Sequence, residues 1–302
     1  MGYAATGQAR AGFPELGGNH RLVRASPGLD FNRAALVVAL TPVEFIAWAT
    51  GRLRAVEVGG IGPVRLPPPW QPGQHIAAIG KTREGKTNFF VWLLNETRKY
   101  VLALDPKGED ESLSASGWAR VATVPGGTAK PRWGSAEWRI WRNLDQDRAE
   151  GRPVQLIAGI ASRTRAADAY NKVLMSDAVE YCRQAGGYTL YVDEHQVFSD
   201  RRMYDLGAPI ARQAITAARD GVSLITSAQY LAWIEKASAR QATMVAMCRT
   251  GDKDLIRSAA NMAGRPWQMI GAALDELPKF WWLIVPDEQR APMIMVRAPK
   301  VT

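Results

Sequence analysis

The stretch IGKTREGKTNFF, Ile79 to Phe90, constrains the fold of this chain more than any other segment. Gly80 is followed by four residues and then by Gly85, Lys86 and Thr87, the G-x-x-x-x-G-K-[ST] spacing of a phosphate-binding loop. Such a loop works in one setting: a strand delivers the chain to it and a helix leaves it, so that backbone N–H groups and the helix N-terminus face an anion. Both flanks are present. HIAAI, His75 to Ile79, reads as a short apolar strand, and KTNFFVWLLNETRK, Lys86 to Lys99, as a helix whose Phe89, Phe90, Leu93 and Leu94 face a sheet. In this reading Gly80 and Gly85 permit the backbone shape, Lys86 reaches the β- and γ-phosphates, and Thr87 offers its hydroxyl to Mg²⁺. Lys81, Thr82, Glu84 and Asn88 complete the nucleotide-binding set.

Beyond the loop the chain alternates strand-like and helix-like segments, which argues for parallel strands joined by crossover helices. YVLALDPKG (Tyr100 to Gly108) reads as a buried strand with a polar tip, VQLIAGI (Val154 to Ile160) as another strand, and Ala166 to Ala185 as a long helix. GYTLYVDEHQ (Gly187 to Gln196) and VSLITSAQ (Val222 to Gln229) are strands separated by a helix over Ala208 to Gly221. TMVAMCRTGD, FWWLIVP and PMIMVRAP either complete the sheet or form a closing hairpin. The expected class is α/β, a mostly parallel central sheet flanked by helices over residues 71–302, preceded by a small N-terminal region, 1–70. The boundary is placed at RLPPPWQPG, Arg65 to Gly73, where prolines and Pro-Gly mark a linker or domain edge.

Composition narrows the classes. With 302 residues, 47% of them hydrophobic, the chain can bury one substantial core. Thirty-eight Lys and Arg against 29 Asp and Glu leave a net charge of +9, which suggests an anionic partner such as nucleic acid. Cys182 and Cys248 lie in apolar stretches and read as buried hydrophobes, which suits a reducing cytoplasm, and three histidines without paired spacing give zinc no foothold. The apolar segment Ala34 to Thr50 is too short for a membrane span and is broken by Pro42 and Glu44; Thr41-Pro42-x-Glu44 reads instead as a capped helix start. No signal peptide is expected, because the first thirty residues lack an apolar centre.

A loop that holds a triphosphate needs a metal-binding acid and a group that activates water. In TLYVDEHQ an apolar run carries Asp193 to a strand's carboxyl end, where it can hold the Mg²⁺ shell, and Glu194 follows at once as the carboxylate that takes or orients the proton of the attacking water. The strand over Val222 to Gln229 ends in TSAQ, which sets Gln229 beside the carboxyl-end crevice as a γ-phosphate sensor, with Thr226 or Ser227 able to do part of the same work.

These segments carry a resemblance. GKTREGKT, VLALDPKG, LYVDEHQ, GVSLITSAQ and the closing ELPKFWWLIVP and APMIMVRAP together resemble the FtsK/HerA superfamily of DNA-translocating ATPases, over roughly Gln71 to the C-terminus. The resemblance implies a RecA-like P-loop core assembled as a homo-oligomeric ring, usually a hexamer, with ATP at subunit interfaces and double-stranded DNA in the channel. It implies that Lys86 and Thr87 bind ATP and Mg²⁺, that Asp193 holds the metal, that Glu194 is catalytic and Gln229 the sensor. It also implies an arginine acting on a neighbour's ATP. Arg212, Arg219 and Arg249 all qualify, with Arg219 preferred.

The expected activity is ATP-driven movement of double-stranded DNA in genome packaging or mobile-element transfer, with a portal or transfer-complex protein as a further partner. A RecA-like helicase on single strands and an ATP-dependent assembly switch are the rivals. Trp118, Trp133, Trp138 and Trp141 among Arg120, Lys130, Arg132, Arg139 and Arg142 suit either base stacking or a local core, and Arg163 and Arg165 suit either phosphate contacts or a solvated helix start.

Overall fold

Apolar strands buried on both faces must send alternate side chains into two separate cores, and this chain does so strand after strand. The computed structural model describes residues 22–24, 36–58, 62–81, 84–120, 136–160, 164–230, 234, 236–288 and 291–301. In chain order the elements are β1 (Leu22–Arg24), β2 (Leu36–Leu40), α1 (Pro42–Ala49), β3 (Ala55–Val58), β4 (Gly62–Arg65), β5 (His75–Ile79), α2 (Lys86–Thr97), β6 (Tyr100–Leu104), α3 (Glu111–Ser114) and β7 (Ala119–Arg120). Then come α4 (Ala136–Ala149), β8 (Val154–Ala158), α5 (Arg165–Ala185), β9 (Thr189–Val192), α6 (His195–Ser199), α7 (Gly207–Asp220), β10 (Ser223–Ala228) and α8 (Lys236–Arg240). The chain closes with β11 (Ala242–Met247), α9 (Lys253–Met262), α10 (Trp267–Asp275), β12 (Trp281–Pro286) and β13 (Met293–Arg297).

Among the described residues one eleven-stranded sheet runs β1-β2-β13-β12-β11-β5-β10-β9-β6-β8-β7, and β3 and β4 form a separate ribbon. From β11 to β7 every pairing is parallel; β12 turns antiparallel against β11 and pairs with β13 as a hairpin, so the closing segments both complete the sheet and form a hairpin. The loop-bearing β5 is flanked by β10 and β11, and β9 lies one strand further out.

On one face Ile76, Ala78, Val101, Ala103, Tyr191, Ile225 and Ala246 meet Phe89, Phe90, Leu93 and Leu94 of α2 and Phe45 and Trp48 of α1. On the other, Leu102, Leu104, Leu190, Val192 and Leu224 meet α5 and α7, while Val245, Met247, Leu283, Val285, Met293 and Met295 meet α9 and α10. The result is helices on both sides of a mostly parallel sheet, the α/β class that the alternating segments predict.

The N-terminal segment takes part in this core. β2 pairs in parallel with β13, and α1 begins with the capping box read from its sequence: Thr41 Oγ1 accepts from the Glu44 N–H at 3.3 Å and Glu44 Oε2 accepts from the Thr41 N–H at 2.9 Å. Phe45 stacks on Trp92 of α2 at 5.7 Å between ring centroids. The proline run is packed rather than loose: Trp48 Nε1 donates to the Pro67 carbonyl at 2.8 Å, and Arg98 at the end of α2 lies 4.0 Å over the ring of buried Trp70. No described helix is long and apolar enough to cross a membrane. Cys182 and Cys248 are free and buried.

Candidate functional site

The carboxyl end of β5 opens into the glycine loop. Gly85 caps α2 with φ of 80°, a left-handed conformation that a side chain disfavours, and Phe89 N–H then donates to the Gly85 carbonyl at 2.9 Å to start the helix ladder. Gly80 is required for a different reason. Its N–H donates to the Ala228 carbonyl of β10 at 3.2 Å, and a Cβ on it would stand 2.3 Å from Cys248 Sγ at the end of β11. The loop therefore lies flush against both neighbouring strands.

Lys86 folds back into the loop, its ammonium donating to the carbonyls of Gly80 at 2.8 Å and Lys81 at 2.9 Å. Burial lowers its pKa, opposed by the facing Asp193, Cys248 and Glu194. Thr87 Oγ1 donates to Asp193 Oδ2 at 3.1 Å, which joins the first helical turn to the end of β9. Ser227 of β10 donates to the other oxygen, Asp193 Oδ1, at 2.5 Å. Parity explains the trio: Tyr191 and Ile225 face α2, so Asp193 and Ser227, two residues on, face it as well, whereas Thr226 points to the opposite side.

Glu194 follows in a left-handed conformation, φ of 53°, unusual for a residue with a side chain. Its N–H donates to Ser227 Oγ at 3.3 Å, and its carboxylate accepts from the ammonium of Lys107 at 2.5 Å. Burial pulls the Lys107 ammonium down, and the bonded Glu194 more than reverses this, leaving its pKa above the ordinary lysine value.

Lys107 is aimed by a turn built on a buried acid. Asp105 accepts from the N–H groups of Lys107 at 3.2 Å and Gly108 at 3.0 Å and pairs with Arg120 at 3.0 Å. A Cβ on Gly159, whose φ is 148°, would meet the Asp105 carbonyl at 2.2 Å, so the end of β8 leaves room for this turn only as glycine. The same turn delivers Asp110, whose Oδ2 lies 3.5 Å from Thr87 Oγ1. Burial raises the Asp110 pKa, and the like charges of Asp193 and Asp105 add to it against the N–H of Leu113. The Tyr191 phenol, buried in the same wall, is pushed well above its usual range by burial and by Asp193 and Asp110.

The structure thus brings together Gly80, Lys81, Gly85, Lys86, Thr87, Asp193 and Glu194. Glu84 lies in the loop beside Cys248, while Asn88 holds the C-terminal segment through the Pro299 carbonyl and the Val301 N–H rather than facing the carboxylates. Thr82 lies outside the described residues. Gln229 is half-buried one residue past Ala228, beside the start of the loop. Arg219 is not brought in. It pairs with Asp220 at 2.7 Å at the foot of α7, beyond the amino end of β10, which lies roughly 13 Å along the strand from Ser227 by strand rise. Arg249, by contrast, follows Cys248 at the loop end of the sheet, exposed.

Three residues that the sequence reading left without a role belong to this site, Asp105, Lys107 and Asp110 after β6, and Ser227, weighed there as sharing the work of Gln229, holds Asp193 instead. Trp118, offered for base stacking, is buried and donates through Nε1 to Asn95, so the local-core alternative holds for it. Trp133 and the side chains of Trp138 and Trp141 lie outside the described residues, as does Arg163; Arg165 is exposed on the first residue of α5. His195 is buried against the core and its pKa is pushed down to about 4 by burial.

The donor set suits a hard cation held partly by its substrate. A hydroxyl and a carboxylate meet at Thr87 and Asp193, with Asp110 next to them, and among the described residues no group of three or more His, Cys, Asp or Glu forms a self-sufficient metal cage. Mg²⁺ is bound in this manner, by one or two protein oxygens plus phosphates and water.

No protein-family model matches the chain, and no curated protein matches it in sequence. Solved structures do. The genome packaging NTPase B204 from Sulfolobus turreted icosahedral virus 2, in complex with sulfate, superposes with a TM-score of 0.50 at 14% identity, covering 74% of this chain and 96% of B204. VirB4 of Thermoanaerobacter pseudethanolicus gives a TM-score of 0.50 at 11% identity, covering 74% of this chain and 89% of VirB4. The mostly parallel sheet, the loop at the end of β5 and these two likenesses together give the chain the RecA-like P-loop NTPase fold.

Proposed function

We propose that this chain is a Mg²⁺-dependent ATPase of the FtsK/HerA superfamily that moves double-stranded DNA, working as a homo-oligomeric ring of hexameric type in genome packaging or mobile-element transfer. The observation that carries the proposal is the contact of Thr87 with Asp193 beneath the glycine loop, with Glu194 beside it. A phosphate cradle alone is a binding site; a cradle joined to a metal-holding acid and a neighbouring base is a hydrolytic one. The name of one structural neighbour, a genome packaging NTPase, and the net charge of +9 support DNA as the partner.

In this reading the N–H groups around Gly85 and the ammonium of Lys86 bind the β- and γ-phosphates, and Lys86 leaves the carbonyls of Gly80 and Lys81 to do so. Thr87 and Asp193 hold Mg²⁺, which when bound neutralises developing phosphate charge. Ser227 fixes the Asp193 carboxylate from behind, and Glu194 takes or orients the proton of water. Gln229, at the end of the strand that carries Ser227, senses the γ-phosphate. Arg219, at the wrong end of β10 for its own nucleotide, acts on the ATP of a neighbouring copy.

The test is ATP turnover by the wild type and by Lys86→Ala without DNA, with duplex and with single strands, at low and moderate salt. Duplex stimulation that disappears in the variant is expected. Turnover that depends on Lys86 but ignores both kinds of DNA overturns the translocase reading and leaves a nucleotide-driven switch.

A further inference from the structure

The two sides of the phosphate loop differ. The acids and Lys107 gather toward β9 and β6, so the reacting end of a nucleotide belongs there. Toward β11 and β12 the loop meets Phe280, which precedes β12; the antiparallel pairing of β12 with β11 sets Phe280 at the loop end of the sheet. Its Cδ1 is 4.0 Å from where a Cβ of Gly85 would stand.

Phe280 is an unusual residue to find there. It is 44% exposed although phenylalanine is ordinarily buried, and its φ of 65° holds a side-chain-bearing residue in a left-handed conformation. Lys279 lies over the ring with its ammonium 4.9 Å from the centroid. Trp281 pairs with Arg297, and Asn88 in the first turn of α2 donates to the Pro299 carbonyl and accepts from the Val301 N–H, which holds the chain beyond β13 against that turn. An aromatic ring therefore stands beside the glycine loop, on the side away from the acids.

We propose that Phe280 is the stacking platform for the base of the bound nucleotide. The inference rests on the nucleotide-binding reading above and adds the position of the base. A phenyl ring presents a π-face to any base, so Phe280 contributes affinity without choosing between adenine and guanine. Tyr230, the other large exposed aromatic among the described residues, follows Gln229 on the β10 side and serves as the control.

The experiment is calorimetric titration of the purified protein with Mg²⁺–ATP and with Mg²⁺–tripolyphosphate, which carries the phosphates without a base. Phe280→Ala and Phe280→Leu are expected to weaken ATP about tenfold and leave tripolyphosphate unchanged, while Phe280→Tyr and Tyr230→Ala keep both affinities. Unchanged tripolyphosphate binding also certifies that the loop is folded in each variant. The proposal is overturned if Phe280→Leu binds ATP like the wild type, if both ligands weaken alike, or if the selective loss appears in Tyr230→Ala. A wild type that binds neither ligand refutes the nucleotide reading itself, and the base site with it.

Discussion

Substituting Gly80 with alanine puts a methyl carbon 2.3 Å from Cys248 Sγ, where about 3.5 Å is needed, so something must move by roughly 1 Å. Neither partner is free to give way. Gly80 is tied to the Ala228 carbonyl, and Cys248 is 1% exposed with its own N–H on the Ile79 carbonyl at 3.2 Å. Overpacking of this kind costs about 1–3 kcal/mol, a drop of roughly 2–10 °C in melting temperature for a chain of this size. The strain is local and has one cause, so it has one remedy. Cys248→Ala removes Sγ and leaves its Cβ at 3.5 Å from the new methyl, an ordinary contact. Cys248→Ala alone should cost about 1 kcal/mol for the lost packing, and the double variant should recover most of the Gly80→Ala penalty. Thermal melting of the four proteins, with ATP affinity measured alongside, gives the coupling between the two sites, expected at about 1–2 kcal/mol. A Gly80→Ala protein as stable as the wild type, or a double variant that melts at the sum of the two single effects, would refute the reasoning.

Two further predictions follow from the electrostatics. Lys107→Met releases the Glu194 carboxylate from the ammonium that aims it, and should lower kcat for ATP about tenfold with KM unchanged, partly restored in Lys107→Arg; a change confined to KM would remove Lys107 from the chemistry. His195 and His75 are both buried with lowered pKa, His195 to about 4 through desolvation, and His75 through desolvation opposed by its contact with the Ala214 carbonyl. A folded pKa below the ordinary 6.5 means that the unfolded chain binds the extra proton first, so this stability is whole above pH 6.5 and is lost as pH falls toward 4. For His195 alone the loss is on the order of 3 kcal/mol, and urea unfolding midpoints between pH 7.5 and 4.5 should begin to fall near 6.5; a midpoint flat to pH 5 contradicts it.

Much of this was legible in the residues because each strand is a short apolar run and each crossover helix a periodic one. Parity alone could have chosen Ser227 over Thr226, since Asp193 and Ser227 each stand two residues past a side chain that faces α2. The acids after β6 were harder to read. Lys107 and Asp110 reach the site through a turn whose shape depends on Arg120, fifteen residues after Asp105, and on the bare backbone of Gly159. No local pattern encodes such a tertiary agreement. Phe280 was hidden for the opposite reason, because FWWLIVP reads as one apolar run and only the chain reversal before Trp281 exposes its first ring. Strand order is likewise silent in sequence: β10 comes after β9 in the chain yet lies between it and β5.

That interposed strand is a mechanical element. The glycine loop and Asp193 belong to strands two spacings apart, about 10 Å, and β10 is the rod between them, bonded to Gly80 on one edge and, through Ser227, to Asp193 and Glu194 on the other. At its far end it joins the foot of α7, where exposed Arg219 pairs with half-buried Asp220. A one-residue insertion in the turn at that distant foot would slide the rod and shift the register between the glycine loop and the Asp193 carboxylate, so a change far from the loop is expected to disturb its geometry.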